Sequence, residues 1–336
     1  LGGISCKGTT LEERAGNPPP RIAETPSGML NSVGLQNPGV EHFIKEDLPW
    51  LRHQGTAIIA NVAGGTMEDC CEAVSRLNDQ PIDAVELNIS CPNVKKGGAA
   101  FGTSVATAAG ITREVRACCR HPLWVKLSPN VSDIAAIAQA VEAEGADAIS
   151  LINTLTGMRI DINTRRPILR NNTGGLSGPA VFPIAVRMVW ETACRVSIPV
   201  IGMGGIATWR DAVEMMLAGA SAFQVGTAIL SDPYAPLRIL EGLERPLTAS
   251  ALHSYLKRLE EKGFLSCKKA GKVNTYTAMV AREDYQRSEG ESFLKKPYGS
   301  SISRFAAALY DGKRVEPAEL EELQALLDRL SGGEET

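Results

Sequence analysis

The sequence DAVELNIS, residues 83–90, runs directly into Cys91, a proline and a glycine-rich segment. It is short and mostly apolar, and a run of this kind is typical of a buried β-strand. Asn88 and Asn93 stand on either side of Cys91. A lone cysteine is most often an inert apolar core residue, so the role of this thiol depends on what gathers around it.

Six further runs of the same kind occur before residue 245, with helical segments between them. Clear helical segments, with apolar residues at helical spacing, lie at 68–78, 132–146, 182–196 and 209–220. Strands that alternate with helices predict a parallel sheet. The seven predicted strands are 1–7, 56–62, 83–90, 123–128, 147–153, 198–204 and 222–227.

The ends of these strands are polar or rich in glycine, which is typical of a (β/α)8 barrel with its chemistry at the carboxyl ends of the strands. Such a barrel has eight strands, whereas the sequence supplies seven. We therefore expect the α/β fold class and, within it, a TIM barrel that lacks its first strand. The pattern changes after Glu244. We therefore expect two domains, residues 1–245 and 246–336, of which the second is a small α+β unit.

The residues at the predicted strand ends favour one kind of chemistry. Lys7, Lys126 and several carboxamides gather there without histidine or an evident carboxylate pair, which argues against metal-dependent hydrolysis and glycosidase chemistry. No metal site is predicted. Carboxamides both donate and accept hydrogen bonds and suit a planar polar heterocycle, while glycine pairs after the last two strands suit a phosphate. Cys91 is the only one of these residues able to act as an acid or base near neutral pH.

Composition adds broad constraints. The chain has 336 residues, a formal net charge of −3, no apolar run long enough for a membrane span and no recognisable signal segment. Its 8 cysteines include two adjacent pairs and no CxxC motif, which disfavours a disulfide framework. We expect a cytoplasmic protein, and the near-neutral charge gives no global case for nucleic-acid binding.

Several separated motifs follow one another along the first domain: KGTTLEERAGNPPPRIAETPSGMLNSVGLQNPGV (7–40), NISCPNVKKGGAAFGT (88–103), VKLSPN (125–130), INT (152–154), GGLSGPA (174–180), IGMGGI (201–206) and QVGTAI (224–229). In this order they resemble the class 1 dihydroorotate dehydrogenases, most closely the NAD-linked class 1B catalytic subunit. Related dihydropyrimidine dehydrogenases share the barrel but tend to carry His where this chain has Asn93.

The resemblance implies FMN-dependent oxidation of dihydroorotate to orotate in de novo pyrimidine biosynthesis. A hydride leaves C6 of the substrate for flavin N5, Cys91 takes a proton from C5 as general base, and Lys126 faces the flavin. The residues implied to line the substrate are Lys7, Asn31, Val33, Gly34, Leu35, Asn88, Asn93, Asn153 and Thr154. Those implied to bind FMN are Lys7, Asn61, Lys126, Ile152, Gly178, Gly204, Gly205, Gly226 and Thr227.

The second domain has its own pattern. Residues 248–265 predict a capped amphipathic helix, residues 266–280 a hairpin with a basic tip, and residues 301–312 and 317–330 two more helices. On the residues LHSYLKRLEEKGFLSCKKAGKVNTYTAMV (252–280), this domain resembles the winged-helix penicillinase repressors, although their first two helices have no counterpart here. Its basic residues could contact DNA phosphates or could simply belong to a solvated amphipathic helix.

Three hypotheses follow. The first is an FMN enzyme whose partners are dihydroorotate, a separate iron–sulfur FAD subunit that passes electrons to NAD, and a second copy of the chain in a homodimer core. The second is a DNA-binding repressor in which the barrel is a passenger. The third is a fusion of two incomplete proteins with neither activity.

Overall fold

The computed structural model describes residues 1–90, 98–244, 260, 265–270 and 273–279. The chain divides into two compact units, Leu1–Arg245 and Pro246–Thr336. The strands are β1 Gly3–Ser5, β2 Ile22–Thr25, β3 Gly28–Asn31, β4 Ala57–Val62, β5 Ala84–Asn88, β6 Leu123–Lys126, β7 Ala148–Leu151, β8 Leu155–Met158, β9 Ile160–Asp161, β10 Arg166–Pro167, β11 Thr173–Ser177, β12 Val200–Met203, β13 Ala222–Gln224, β14 Leu265–Ala270 and β15 Val273–Ala278. The α-helices are α1 Val40–His42, α2 Leu48–Arg52, α3 Met67–Leu77, α4 Val105–Cys118, α5 Ile134–Ala143, α6 Phe182–Ala193, α7 Trp209–Leu217, α8 Ala228–Ser231 and α9 Ala235–Glu244.

The main sheet of the first unit has seven parallel strands in the order β1-β4-β5-β6-β7-β12-β13. This is also their order along the chain, as in a (β/α)8 barrel, whereas a doubly wound sheet reverses its order at a switch point. The predicted parallel sheet and its seven strands are therefore confirmed. β1 and β13 are the two edge strands of this sheet.

Side-chain contacts show that the sheet is curled. Ser5 of β1 and Ser150 of β7 lie two strands away from Glu86 of β5, on opposite sides. In a flat sheet each separation would be roughly 10 Å. Both hydroxyls nevertheless donate hydrogen bonds to the Glu86 carboxylate, at 3.0 and 2.7 Å. The strands therefore wrap around Glu86, which lies on the concave face.

The apolar core lies between the sheet and the helices that cover its convex face. Because side chains alternate along a strand, Glu86 and Asn88 face inward, while Val85 and Leu87 face the helices and are fully buried in the main apolar cluster. Helices α3 and α7 each begin with a capping box, in which a threonine and an aspartate bond each other's backbone N–H groups. These devices hold the strand ends, and the residues that follow them, at fixed positions.

A second, antiparallel sheet has the order β2-β3-β11-β8 and was not predicted from the sequence. Strand β8 begins shortly after β7 ends, so this sheet lies at the carboxyl end of the main one. It pairs Asn31, the last residue of β3, with Gly175 of β11. The predicted substrate residue Asn31 is thereby brought to the same end of the fold as the residues that follow β7.

The second unit is described only in part. Strands β14 and β15 form the antiparallel hairpin predicted for residues 266–280, with Leu265 paired to Ala278 and Ala270 to Val273. The helix predicted at 248–265 lies almost wholly outside the described residues, and the helices predicted at 301–312 and 317–330 lie outside them entirely. Within the described ranges, no helix is both long and apolar enough to cross a bilayer.

Candidate active site

A charged cluster occupies the concave face of the main sheet. The Glu86 side chain is 0% exposed and that of Lys126 is 16% exposed, with 3.7 Å between Lys126 Nζ and Glu86 Oε2. Asn61 donates a hydrogen bond from Nδ2 to the same oxygen, and the hydroxyls of Ser5 and Ser150 also donate to the carboxylate. The Glu86 side chain is thus approached by a polar group from each of four other strands of the sheet, β1, β4, β6 and β7.

The surroundings of Glu86 decide its protonation state. Burial alone would raise the pKa of Glu86, but the Lys126 charge and the hydrogen bonds from Ser150, Asn61 and Ser5 outweigh it, so the pKa lies below its ordinary value. The carboxylate is therefore ionised near neutral pH and only accepts hydrogen bonds.

The orientation of the Asn61 amide follows from this charge. A carboxylate can only accept, so the amide must turn its nitrogen towards Glu86 and its oxygen away from it. Asn61 Oδ1 is buried and has no donor in the described part of the chain. This oxygen lies beside Gly8, since a Cβ atom at position 8 would stand 2.9 Å from Asn61 Oδ1. A buried acceptor left unpaired costs about 1–3 kcal/mol, and a ligand N–H group would remove that cost.

A second network holds the amides at the carboxyl ends of β5 and β7. Ser90 donates to Asn88 Oδ1 from its backbone nitrogen at 3.2 Å and from its hydroxyl at 2.8 Å. Asn153 Nδ2 donates to the Ser90 hydroxyl at 2.8 Å, and Asn153 Oδ1 accepts from the Thr154 backbone nitrogen at 2.7 Å. The Asn88 Nδ2 group has no partner among the described residues, so this network fixes Asn88 through its oxygen alone.

The loop after β3 reaches the same region. The Asn31 amide lies 3.5 Å from the Gly175 carbonyl oxygen, and a side chain on Gly175 would collide with the Thr154 hydroxyl. Gly8 lies between Asn61 and the loop after β3. A Cβ atom at position 8 would stand 2.9 Å from Asn61 Oδ1 and 3.4 Å from Leu35 Cδ2.

Asn17 holds the middle of this loop through its backbone N–H, which donates to the Val33 carbonyl oxygen at 2.9 Å. Its side-chain amide fills the space where a side chain on Gly34 would stand. The structure therefore places Asn31 near Thr154 and Leu35 near Asn61, at the two ends of a loop that also carries Val33 and Gly34.

Most of the predicted phosphate glycines converge on the start of helix α6. Gly205 has φ +77°, and a side chain there would stand 2.7 Å from the Gly178 carbonyl oxygen and 3.0 Å from the Phe182 backbone nitrogen. Gly204 packs in the same way against Ile152. The Phe182 N–H group itself donates to the Pro179 carbonyl oxygen, so this close packing fixes the shape of the turn and requires glycine at position 205.

The remaining predicted residues lie around this region. Gly226 and Thr227 follow β13, which pairs with β12 next to the Gly204–Gly205 turn, and the space around Gly226 is open. Lys7 follows β1 with an exposed side chain, and the Thr9 backbone nitrogen donates to the Asn61 carbonyl oxygen at 2.8 Å beside it. Cys91 and Asn93 lie outside the described residues.

Sequence reasoning missed Glu86 and Ser90, the two residues that hold the predicted amides in place. The signal for Glu86 was a single acidic residue inside an apolar strand, since such a residue is rarely buried without partners. Ser90 carried no comparable signal, because a serine after a strand is ordinary.

The fold and the site define a barrel-type α/β protein whose lysine and amide side chains gather on the concave face and at the carboxyl ends of its parallel strands. Comparison with known proteins narrows this class. Residues 1–247 match the family model of dihydroorotate dehydrogenase, and residues 231–329 match that of penicillinase repressor.

Relatives of the first unit share one name, dihydroorotate dehydrogenase B (NAD(+)), catalytic subunit. The protein from Alkaliphilus oremlandii is 58% identical over 244 residues, which cover 73% of this chain and 81% of that protein. The protein from Geobacillus kaustophilus is 57% identical over 244 residues, covering 72% and 78%. The protein from Bacteroides thetaiotaomicron is 55% identical over 248 residues, covering 74% and 82%.

The chain therefore belongs to the dihydroorotate dehydrogenase family. Both resemblances predicted from the sequence are confirmed, that of the first unit to the NAD-linked B-type catalytic subunits and that of the second unit to the penicillinase repressors.

Proposed function

We propose that the chain oxidises dihydroorotate to orotate in de novo pyrimidine biosynthesis, with FMN as its cofactor and the cytoplasm as its location. The observation that carries the proposal is the array on the concave face of the sheet, in which Lys126 and the Asn61 amide both meet the buried Glu86 carboxylate and the Asn61 amide oxygen has no donor among the described residues. An N–H group of the flavin ring fits the Asn61 oxygen, and the lysine fits the negative charge of the reduced ring.

The residues proposed to hold FMN form two groups. Asn61, Lys126 and Ile152 would lie along the ring, with Lys7 near the substrate side. The phosphate would lie at the glycine turn that follows β12 and beside Gly226, where the surrounding space is open. The proposed phosphate residues are Gly178, Gly204, Gly205, Gly226 and Thr227.

When bound, FMN supplies the acceptor for the hydride that leaves C6 of dihydroorotate. Cys91 takes the proton from C5 as its thiolate, so that the substrate loses one hydride and one proton to become orotate. Asn88 and Asn93 hold the substrate ring and carboxylate beside this thiol. A thiol with an ordinary pKa of about 8.5 is only a few per cent ionised near pH 7, so turnover should rise with pH.

The remaining substrate contacts are proposed on the geometry of the second network and the β3 loop. Asn153 and Thr154 are held by Ser90 and by each other, which gives them fixed hydrogen-bonding directions. Asn31, Val33, Gly34 and Leu35 would close over the substrate from the other side, with Lys7 near its carboxylate.

Partners are proposed from the relatives. Their name, catalytic subunit, implies a further subunit in those proteins. We propose an iron–sulfur FAD subunit that carries electrons from the flavin to NAD, and a homodimer of the catalytic chain as the core of the complex.

The experiment is to purify the full chain, titrate it with FMN by quenching of flavin fluorescence, and follow orotate formation from dihydroorotate with a dye as electron acceptor. The Cys91→Ser variant should bind FMN but lose turnover, whereas Cys194→Ser, which changes an exposed cysteine, should match the parent. A folded chain that binds no FMN, or that binds FMN and forms no orotate, would contradict the proposal.

A DNA-binding role is the second candidate function. It is favoured by the match of residues 231–329 to penicillinase repressor and by the basic hairpin formed by β14 and β15. A preference of about 1000-fold or more for palindromic operator DNA over scrambled DNA at physiological salt would support it.

A further inference from the structure

Glu86 is the centre of the cluster on the concave face, and none of the proposed steps assigns it a task. It is fully buried, and its carboxylate receives Ser5, Asn61 and Ser150 as hydrogen-bond donors and Lys126 as a counter-charge. Burying a charge pair of this kind stabilises a fold little, and apolar residues of similar volume often do as well. The arrangement therefore calls for a role beyond stability.

The contact between Lys126 and Glu86 leaves the lysine free to act on a ligand. At 3.7 Å the two groups attract each other, but the separation is longer than a hydrogen bond. The N–H groups of Lys126 have no other hydrogen-bond partner among the described residues, so they remain available for a ligand. The carboxylate thus holds the ammonium by charge and offsets part of its positive potential.

The contact between Asn61 and Glu86 fixes the amide in one orientation. If Glu86 were uncharged, either end of the Asn61 amide could face it, and Oδ1 would no longer be directed reliably away from it. The same carboxylate oxygen, Oε2, receives both Asn61 and Lys126. One atom therefore controls the two groups that are proposed to meet the flavin ring.

We propose that Glu86 is a positioning residue for the flavin, which orients the Asn61 amide and tempers the charge of Lys126. This inference rests on the proposed function, because it presumes that FMN occupies the concave face. It makes Glu86 a determinant of how tightly FMN is bound and of how easily the flavin is reduced. Glu86 does this through Asn61 and Lys126 and takes no part in proton transfer.

The test is Glu86→Gln, which keeps the size of the side chain and removes its charge. We expect the dissociation constant of FMN to rise about 30-fold, as for loss of one partner of a buried hydrogen-bonded charge pair. We also expect the midpoint potential of the bound flavin to become more positive, because the Lys126 charge is no longer offset. A purely structural role for Glu86 would not move the potential in this direction.

Two comparisons make the assignment specific. In a Lys126→Met background, Glu86→Gln should shift the potential much less than in the parent, because its effect passes through the lysine. Glu142→Gln is the matched control: this carboxylate also accepts several hydrogen bonds, from Ser197 and Ile198, but lies outside the site. Its FMN affinity and flavin potential should equal those of the parent.

The outcomes separate the inference from the proposed function. A parent chain that binds no FMN overturns both. A parent that binds FMN, together with a Glu86→Gln variant of unchanged affinity and potential, overturns only the role of Glu86. If Glu86→Gln does not fold, Ser150→Ala removes one hydrogen bond to the carboxylate and should weaken FMN binding several-fold. FMN binding by Ser150→Ala that equals the parent's would then overturn the role of Glu86.

Discussion

Removal of Lys126 would leave Glu86 as a buried charge without its counter-charge. At an effective dielectric constant of about 20, unit charges 3.7 Å apart attract by about 4 kcal/mol. Part of this lost attraction is offset, because the variant no longer has to desolvate and order the lysine side chain when it folds. We therefore expect Lys126→Met to lower the free energy of unfolding by about 3 kcal/mol near neutral pH, the low end for breaking a buried pair.

The pH dependence of this loss gives a sharper signature. In the parent, the lowered pKa of Glu86 contributes stability that is present above the unfolded pKa of about 4.3 and is lost as the pH falls below it. Without Lys126, burial should raise the folded pKa above that value, so folding would favour the protonated acid. The difference between parent and variant should therefore be largest near neutral pH and shrink as the pH falls towards about 4.3.

Urea denaturation followed by circular dichroism, at neutral and at mildly acidic pH, measures this difference. Arg120→Met is a matched control, because the pair of Arg120 with Asp79 is 73% and 84% exposed and such pairs contribute little. A loss below about 1 kcal/mol for Lys126→Met, or a loss that does not change with pH, would refute the view that the lysine compensates a buried carboxylate.

Three further predictions concern other parts of the chain. Cys91→Ser should keep FMN and dihydroorotate binding and lose most turnover near neutral pH, because a serine hydroxyl is a far weaker base; orotate formation at the parent's rate would remove Cys91 from the mechanism. Gly205→Ala should reduce stability by about 1–3 kcal/mol and weaken FMN retention on gel filtration, because φ is +77° and a side chain there would strike the Gly178 carbonyl oxygen; full retention would show that the turn does not serve the phosphate. Residues 246–336 should prefer a palindromic penicillinase-type operator over scrambled DNA by less than about 1000-fold at physiological salt, and titration that gave a larger ratio would favour the repressor hypothesis.

The main sheet could be predicted from the sequence because each parallel strand is an almost continuous apolar run between helical segments. Each of the seven strands lies inside its predicted range but is shorter than it, as β5 is at Ala84–Asn88 and β13 at Ala222–Gln224. The residues lost are mostly those at the strand ends, where polar residues and glycines begin the loops.

The antiparallel sheet of β2, β3, β11 and β8 could not be predicted in the same way. Its strands are short, and β11, Thr173–Ser177, contains two adjacent glycines. Its pairing joins residues as distant in sequence as Asn31 and Gly175. Such long-range pairing leaves no periodicity in any one segment, although the sheet places Asn31 at the site.

The site could be predicted in its residue types but not in how those residues are held. Asn61 and Lys126 were identified from their places after strands, whereas their shared partner Glu86 was not. Glu86 is reached by Ser5 and Ser150 only because the sheet curls, and curvature cannot be read from a strand's own residues. The roles of Cys91 and Asn93 remain predictions from the sequence.

The most direct test of the proposed function is to mix the FMN-loaded chain with dihydroorotate in the absence of oxygen and record the flavin absorbance. We expect the yellow absorbance to be lost as an equal amount of orotate forms, and the loss to be slower at lower pH, where less of the Cys91 thiol is ionised. A folded, FMN-loaded chain whose flavin stays oxidised in the presence of excess dihydroorotate would contradict it.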